Sequence, residues 1–227
     1  MATTPQLNSK DQVEFWGNIP NAYKADILGA KILDWSSEFM GERVLDLGAA
    51  NGSLIREISR RNPSLKLVVG VDIAPRSPDV LQGDCTKLSF QDAEFDTLYF
   101  TDVIEHLSDQ DLPKCLAEMN RVLSIGGHAV VNTLNNEDLR DLSLQCPHCH
   151  SNFHRWGHFQ VFNEARVKQL FSQFGFEIVK LRVIHLGRWN RYGFLVPFLR
   201  ALGVHRFFRK GTWDIDLLFV AKKVANL

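Results

Sequence analysis

The sequence predicts an α/β protein built on a doubly wound, mostly parallel β-sheet, and three observations support this prediction. An apolar stretch at residues 44–47 passes through a glycine-containing turn into a helical pattern. A second apolar run, residues 65–72, is continuous, as in strands that are covered on both faces. Apolar runs then alternate with helical patterns up to residue 135, which favours a parallel sheet flanked by helices.

The composition is that of an ordinary globular protein, and we expect residues 1–227 to form a single domain. The 26 basic and 26 acidic residues cancel, which argues against extensive nucleic-acid binding. Four cysteines do not indicate a disulfide framework in a chain of this length. The sequence contains no apolar run of membrane-spanning length, and its first ten residues lack a signal-peptide pattern. We therefore expect a cytoplasmic protein without a transmembrane segment.

Ahead of the first strand, an N-terminal helix is predicted within residues 14–36. We expect residues 1–12 to be frayed, and Phe15 and Trp16 to pack against the core. Apolar residues after them recur at the spacing of one helix face: Ile19, Tyr23, Ile27, Ala30 and Leu33.

The turn after the first strand is the strongest motif of the chain. Gly48 and Gly52 lack a Cβ, so the backbone can turn sharply and approach a ligand closely. The turn is expected to deliver its amides to the amino end of the next helix, where an electron-rich group is favoured. The dinucleotide pattern G-x-G-x-x-G is not matched, and Asp46 lies two residues before the first glycine. The motif indicates a nucleotide-type cofactor at the carboxyl end of a parallel strand.

Acidic residues follow the second and third predicted strands. Asp72 closes the run 65–72, where a carboxylate can accept both hydroxyl groups of a ribose. The link at residues 73–78 contains two prolines and leaves no room for a crossover helix. A short strand at 80–85 reaches Asp84, and a fourth strand ends at Thr101, where ligands bind in such sheets.

The segment from Asp46 to Gly52 resembles motif I, D-x-G-x-x-x-G, of the class I S-adenosylmethionine (SAM) methyltransferases. Residues 94–107, which contain Glu105 and His106, are similar to another segment of that family. The resemblance covers about residues 40–135. It implies a Rossmann-like methyltransferase fold with seven strands, the last of them antiparallel, and SAM as the cofactor. The family usually has a helix at the position of residues 73–78, and this chain departs from that pattern.

In that family the motif I acid lies near the methionine amino group of SAM, and the glycines face the methionine and ribose. The residue after the second-strand acid packs beside the adenine, and the acid after the third strand meets the adenine amino group. Leading helices often cover the cofactor, which makes residues 14–36 a candidate lid. The resemblance therefore implies this cofactor-binding set: Asp46, Gly48, Ala49, Gly52, Asp72, Ile73, Asp84, Cys85 and Thr101.

The function implied by the resemblance is methyl transfer from SAM to a small or amphiphilic acceptor, which we expect at oxygen. A hydroxyl acceptor needs a base, and imidazole titrates near neutrality, so His106 is the candidate base and Glu105 the residue that orients it. An RNA or protein methyltransferase that docks a polymer is the alternative. A non-catalytic SAM-binding module is another.

Residues 136–162 form an insertion with a possible zinc knuckle. Cys146 and Cys149 have the spacing of two thiolates that share one ion, and His154 and His158 match the second half of a Cys₂His₂ set. These ligands favour a structural zinc ion. Two neighbouring histidines are substitute ligands: His148 and His150.

A catalytic divalent ion is the second interpretation of this region. The segment Asp102-x-x-Glu105-His106 is similar to the E-x-x-E-H segment of small-RNA 3′-terminal 2′-O-methyltransferases, which bind such an ion with a later histidine. His158 has the position of that histidine. Asp102 replaces the first glutamate and is shorter by one methylene.

A second insertion, residues 187–212, is both basic and aromatic. No acidic residue occurs from Ile178 to Trp213, whereas arginines and lysines are frequent there. This composition suits an anionic amphiphile, a peripheral membrane contact or a nucleic acid. The zero net charge makes nucleic acid the less favoured partner.

Overall fold

The computed structural model describes residues 9–18, 25–184 and 216–227. The strands in these ranges are β1 (Arg43–Leu47), β2 (Leu67–Asp72), β3 (Val80–Gln82), β4 (Phe95–Thr101), β5 (Leu123–Leu134), β6 (Ser143–Gln145), β7 (Asn152–His154), β8 (Phe176–Ile184) and β9 (Asp216–Lys223). Seven of them form one sheet in the order β3–β2–β1–β4–β5–β9–β8, and β6 pairs with β7.

The strand directions confirm the predicted doubly wound sheet. β3, β2, β1, β4 and β5 pair with one another in parallel. β9 runs antiparallel to both β5 and β8, so the last strand is the antiparallel one, as the resemblance implies. The carboxyl ends of β1, β2 and β4 therefore lie side by side at one edge of the sheet.

Helices cover both faces of the sheet. They are α1 (Ser9–Asn18), α2 (Ala25–Ser36), α3 (Ser53–Arg61), α4 (Asp111–Val122) and α5 (Glu164–Gln173). On one face, α2 and α3 pack against β1, β4 and β5 through Ile32, Ile58, Val44, Tyr99 and Val130. On the other face, α4 and α5 pack through Leu116, Met119 and Phe171 against Leu45 and Leu98. Because both faces are covered, the central strands are mostly apolar, and Asp46 of β1 and Asp72 of β2 lie near their carboxyl ends.

The N-terminal region differs from its prediction. Residues 9–12 are helical, since α1 begins at Ser9, and they are not frayed as expected. The second helix begins at Ala25, and residues 19–24 lie outside the described part of the chain. α1 is held by contacts with distant segments, such as the hydrogen bond from Gln12 Nε2 to the carbonyl oxygen of His106 at 3.3 Å. A local apolar pattern does not reveal contacts of this kind.

The link between β2 and β3 contains no helix, as its prolines predict. Arg76 anchors the link in two directions. Its backbone amide donates to the carbonyl oxygen of Ala50 at 2.9 Å, and its guanidinium donates to the carbonyl oxygen of Trp16 in α1 at 2.5 Å. The link therefore joins the turn after β1 to α1.

The insertion at 136–162 connects β5 to α5 and contains the hairpin of β6 and β7. The backbone amide of Asn136 donates to the carbonyl oxygen of Phe162 at 2.7 Å, which closes the insertion at its base. The basic and aromatic segment 187–212 lies outside the described residues. Within the described ranges, no helix combines the length and the apolar character needed to cross a membrane.

Candidate active site

A cavity of about 680 Å³ opens at the carboxyl ends of β1, β2 and β4, the edge where ligands bind in sheets of this type. Eight of the nine predicted cofactor-binding residues line it: Asp46, Gly48, Ala49, Asp72, Ile73, Asp84, Cys85 and Thr101. We call this side the strand-end wall. Four further lining residues carry aromatic rings, and we call this set the ring wall: Trp16, His106, Trp156 and His158.

The turn after β1 is built as its glycines predict, but its amides are used inside the fold. Gly48 has a φ of +92°, and a Cβ on it would lie 2.3 Å from Cγ2 of Val103. The amides of Gly48 and Ala49 both donate to the carbonyl oxygen of Val71, at 2.8 and 3.0 Å. The Ala50 amide donates to Oδ2 of Asp72 at 2.8 Å. The expectation that these amides face a ligand is therefore wrong, because β2 already accepts them.

Gly52 is the predicted cofactor residue that does not line the cavity. It is the N-cap of α3, with a φ of +75°. An added Cβ would lie 2.9 Å from Nη1 of Arg56 and 3.1 Å from Cγ2 of Val80. Gly52 therefore serves the turn into the helix and the packing behind it.

Asp46 and Asp72 form the acidic centre of the strand-end wall. The side chain of Asp46 is 2% exposed, and burial, together with the negative charge of Asp72, raises its pKa to about 7. Asp72 accepts hydrogen bonds from the amides of Ala50 and Ala74, both at 2.8 Å, one on each carboxylate oxygen. Each oxygen keeps a second lone pair for a ligand. A cation beside Asp46 would restore its ionised form.

Asp84 is held in a turn of its own at the end of β3. Its Oδ1 accepts hydrogen bonds from the backbone amide of Thr86 at 2.8 Å and from the Thr86 hydroxyl at 2.7 Å. Thr86 also lines the cavity and was not predicted. The position of Thr86 two residues after Asp84 suits an Asx turn, and this spacing could have identified it from the sequence.

α1 covers the cavity beside His106. The ring of Trp16 packs edge-on against the His106 ring with centroids 4.6 Å apart. Gln12 and Trp16 both line the cavity. The sequence predicts only that Trp16 packs against the core and gives no signal for Gln12, since neither residue belongs to a recognisable motif.

His106 lies in the turn after β4, where Gly157 of the insertion fixes its ring. Nδ1 donates to the carbonyl oxygen of Gly157 at 3.2 Å, and because a carbonyl only accepts, we assign the proton to Nδ1 and the lone pair to Nε2. Burial, and then the nearby His158, lowers the pKa of His106 to about 3. A proton on Nε2 is therefore costly, which weakens His106 as the predicted base.

Glu105 does not orient His106 as predicted. Its Oε2 accepts a hydrogen bond from the hydroxyl of Thr133 at 3.0 Å, and its backbone carbonyl accepts from the amides of Phe159 and Gln160. Burial, and then the charge of Asp102, raises the pKa of Glu105 well above its ordinary value. Glu105 therefore anchors the insertion to the turn after β4.

The predicted Cys₂His₂ zinc set is not assembled. Cys146 and Cys149 lie in the loop between β6 and β7, where Cys149 is exposed, whereas His154 and His158 are buried. Among the described residues, no group of three or more potential ligands within 4.8 Å of one another includes a cysteine. The two histidines instead cluster with Glu137. Sequence spacing alone placed the four ligands on one ion, and the hairpin separates them.

The second metal interpretation is closer to the geometry. Ligand atoms of Glu105, His106 and His158 lie within 4.8 Å of one another. Asp102 instead accepts a hydrogen bond from Nδ2 of Asn132 at 2.7 Å, and burial raises its pKa to about 6. The group thus contains three of the four residues in that interpretation.

Known proteins with similar sequences point to one family. Residues 16–181 match the model of a family described as methyltransferase domain. A malonyl-[acyl-carrier protein] O-methyltransferase from Serratia marcescens is 32% identical over 125 residues, which cover 51% of this chain and 47% of the relative. A demethylmenaquinone methyltransferase from Bacteroides fragilis is 29% identical over 125 residues, with coverages of 48% and 49%. The chain thus spans about half the length of these curated relatives.

A solved structure shares the fold. The Burkholderia thailandensis 1,6-didemethyltoxoflavin-N1-methyltransferase, with bound 1,6-didemethyltoxoflavin and S-adenosylhomocysteine, matches with a TM-score of 0.65. The match covers 96% of this chain and 87% of that chain at 13% identity, so it supports the fold alone. Since the family model matches well over half of the sequence, the chain belongs to the methyltransferase domain family.

Proposed function

We propose that the protein is a SAM-dependent methyltransferase that acts on a small or amphiphilic acceptor, at oxygen. The observation that carries this proposal is that Asp46, Asp72 and Asp84 line one cavity at successive strand ends. The carboxylate of Asp46 suits the ammonium of the methionine part of SAM. That of Asp72 suits the ribose hydroxyls, and that of Asp84 suits the adenine amino group. Membership of the methyltransferase domain family supports the same cofactor.

The turn after β1 favours SAM over a cofactor with phosphate groups. A phosphate needs free backbone amides at a helix N-terminus. In this chain the amides of Gly48, Ala49 and Ala50 are bonded to Val71 and Asp72. SAM carries a positive charge and no phosphate, so an acidic wall in which these three amides are already bonded suits it.

The ring wall is the proposed acceptor side. Its tryptophan and histidine rings offer flat apolar surface with ring nitrogens beside it. The names of the two relatives give malonyl-[acyl-carrier protein] and demethylmenaquinone as their substrates, which supports a small or amphiphilic acceptor. We propose transfer to oxygen because a hydroxyl must lose its proton during attack, and this wall contains imidazoles.

When bound, SAM supplies an electrophilic methyl group on a sulfonium. The acids of the strand-end wall hold the cofactor, and Gly48 allows the turn to approach it closely. Gln12 and Trp16 of α1 cover the cavity beside His106, and we propose that α1 acts as a lid that excludes water. The remaining requirement is alignment of the acceptor oxygen with the methyl group.

Two alternatives remain open. An RNA or protein acceptor would dock on the basic segment 187–212, outside the described residues, and salt-sensitive RNA binding that is lost on Arg206→Ala and Arg209→Ala would favour it. A non-catalytic SAM-binding module would bind the cofactor and transfer nothing.

The test is an assay with methyl-labelled SAM and a panel of acceptors: a malonyl thioester, a demethylmenaquinone analogue and hydroxylated aromatic compounds. We expect labelled product and S-adenosylhomocysteine from at least one oxygen acceptor, and no product from Asp46→Asn. Binding of S-adenosylhomocysteine without transfer to any acceptor would favour the non-catalytic module. Transfer to nitrogen or carbon alone would contradict the assignment to oxygen.

A further inference from the structure

Glu137 and His158 form a buried carboxylate–imidazole pair in the insertion. Nδ1 of His158 lies 2.6 Å from Oε2 of Glu137, and their side chains are 8% and 12% exposed. A carboxylate only accepts, so the proton is on Nδ1 and Nε2 carries the lone pair. Because His158 lines the cavity, the pair meets the ring wall through this imidazole.

His154 holds the pair in place. Its Nδ1 accepts a hydrogen bond from the backbone amide of His158 at 3.2 Å, and the two rings pack with centroids 4.5 Å apart. With Nδ1 as acceptor, the His154 proton lies on Nε2, a buried atom without a hydrogen bond to any described residue, which is 3.6 Å from Oε1 of Glu137. Each carboxylate oxygen of Glu137 therefore faces one of the two imidazole rings.

The two histidines of the ring wall differ in what supports a second proton. The Nδ1 partner of His106 is the neutral carbonyl of Gly157 at 3.2 Å, whereas the partner of His158 is a carboxylate at 2.6 Å. A charge-assisted hydrogen bond is about twice as strong as a neutral one. The His158 ring therefore has a charged partner at Nδ1 that the His106 ring lacks, although their ring centroids are only 4.7 Å apart.

We propose that His158, oriented by Glu137, takes the proton from the acceptor hydroxyl in the methyl transfer. This inference rests on the proposed function. The acceptor O–H bond breaks as the O–CH₃ bond forms, and the proton goes to Nε2 of His158. The electron pair of the breaking C–S bond stays on sulfur, which leaves S-adenosylhomocysteine. His158 is the catalytic residue, Glu137 is a positioning residue, and His106 forms the wall beside them.

Carbethoxylation with diethyl pyrocarbonate tests the pair without knowledge of the acceptor. Peptide mass mapping measures the rate at each histidine. We expect modification of His158, faster than that of His106 at a pH where both imidazoles are neutral, with a rate about tenfold lower in Glu137→Gln because a neutral amide polarises the ring towards Nε2 less than a carboxylate does. The matched control is Glu164→Gln on the surface of α5, which should leave the rate unchanged.

A transfer assay with the acceptor found by the panel tests the proton step. His158→Asn should lower kcat by about 10²-fold or more, with little change in KM, and free imidazole should partly restore His158→Ala. An unchanged kcat in His158→Asn would overturn the proposal. So would a stoichiometric metal ion that blocks carbethoxylation until a chelator removes it, because Nε2 would then be a ligand.

Binding of S-adenosylhomocysteine separates this inference from the proposed function. Both His158 variants should bind it as tightly as the unmodified protein, because the acids proposed to hold the cofactor are unchanged in them. If the unmodified protein does not bind it, the proposed function fails, whereas the carbethoxylation rates still decide whether Glu137 supports His158.

Discussion

The two walls of the cavity are built in different ways. In the strand-end wall, Asp46 and Asp72 are placed by parallel strands β1 and β2 and by the turns that follow them. In the ring wall, α1, the turn after β4 and the insertion come from distant parts of the chain and are joined by bonds such as that between His106 and Gly157. The positions of the strand-end residues therefore depend on neighbouring strands and their turns, whereas those of the ring-wall residues depend on contacts between distant segments. Changes in the strand-end wall should affect the affinity for the cofactor, and changes in the ring wall should affect acceptor chemistry or the closure of the cavity by α1.

Gly48→Ala should have the largest effect. A Cβ at a φ of +92° would be strained and would overlap Cγ2 of Val103. We expect the free energy of unfolding to fall by about 3 kcal/mol and the affinity for S-adenosylhomocysteine to fall at least about tenfold. Urea unfolding and calorimetric titration measure both quantities.

Gly126→Ala is the matched control for this change. Gly126 also has a positive φ, +81°, but an added Cβ would meet nothing within 4 Å. We expect the free energy of unfolding to fall by about 1 kcal/mol and the affinity for S-adenosylhomocysteine to stay the same. Equal losses at the two glycines would show that the contact with Val103 contributes nothing.

The affinity for S-adenosylhomocysteine should depend on pH through Asp46. Its pKa is raised to about 7, and an ammonium pairs only with the ionised carboxylate. Binding should be full at pH 8 and about tenfold weaker at pH 6, because the carboxyl group is then protonated. Asp46→Asn should bind weakly at both pH values. If the pH dependence of binding persists in this variant, a group other than Asp46 causes it.

Trp16→Ala should have a smaller effect, on the ring wall. It removes a ring that packs on His106 and lines the cavity. We expect about fivefold faster dissociation of S-adenosylhomocysteine by stopped-flow measurement, with little change in stability. Val13→Ala, at an exposed position of α1, is the control and should change neither the dissociation rate nor the stability. An equal effect of both changes would point to helix stability as the cause.

Replacement of both Cys146 and Cys149 by serine should have the smallest effect. The described structure gives these thiols no third ligand, and Cys149 is exposed. We expect the free energy of unfolding to change by less than about 0.5 kcal/mol and the metal content to stay the same. Elemental analysis of protein purified without added metal measures the content. Stoichiometric zinc in the unmodified protein, and none in the double serine variant, would show that the two cysteines bind zinc.

The strand-end wall could be predicted because strand-end acids and turn glycines are visible in sequence. Asp72 and Asp84 follow from the ends of apolar runs, and the family resemblance supplies their partners. The use of the turn amides could not be predicted, because it depends on how closely the carbonyl oxygen of Val71 approaches Gly48 and Ala49.

The ring wall was predicted only in part. His106 and His158 were singled out, but as a base and a zinc ligand, because spacing does not show which groups meet. Glu137 is separated from His158 by the whole hairpin, and no motif links the two residues. Trp16 lies in a helix whose placement depends on Arg76 and His106. Pairings of this kind follow from tertiary contacts alone.

We propose that the cavity binds SAM through acids and does not bind a dinucleotide through the amides of Gly48, Ala49 and Ala50, which are already bonded within the fold. Calorimetric titration of the unmodified protein with S-adenosylhomocysteine and, separately, with NADH tests it directly. We expect S-adenosylhomocysteine to bind with a Kd below about 100 μM and NADH not to bind at millimolar concentration. Binding of NADH, or no binding of S-adenosylhomocysteine at millimolar concentration, would contradict the claim.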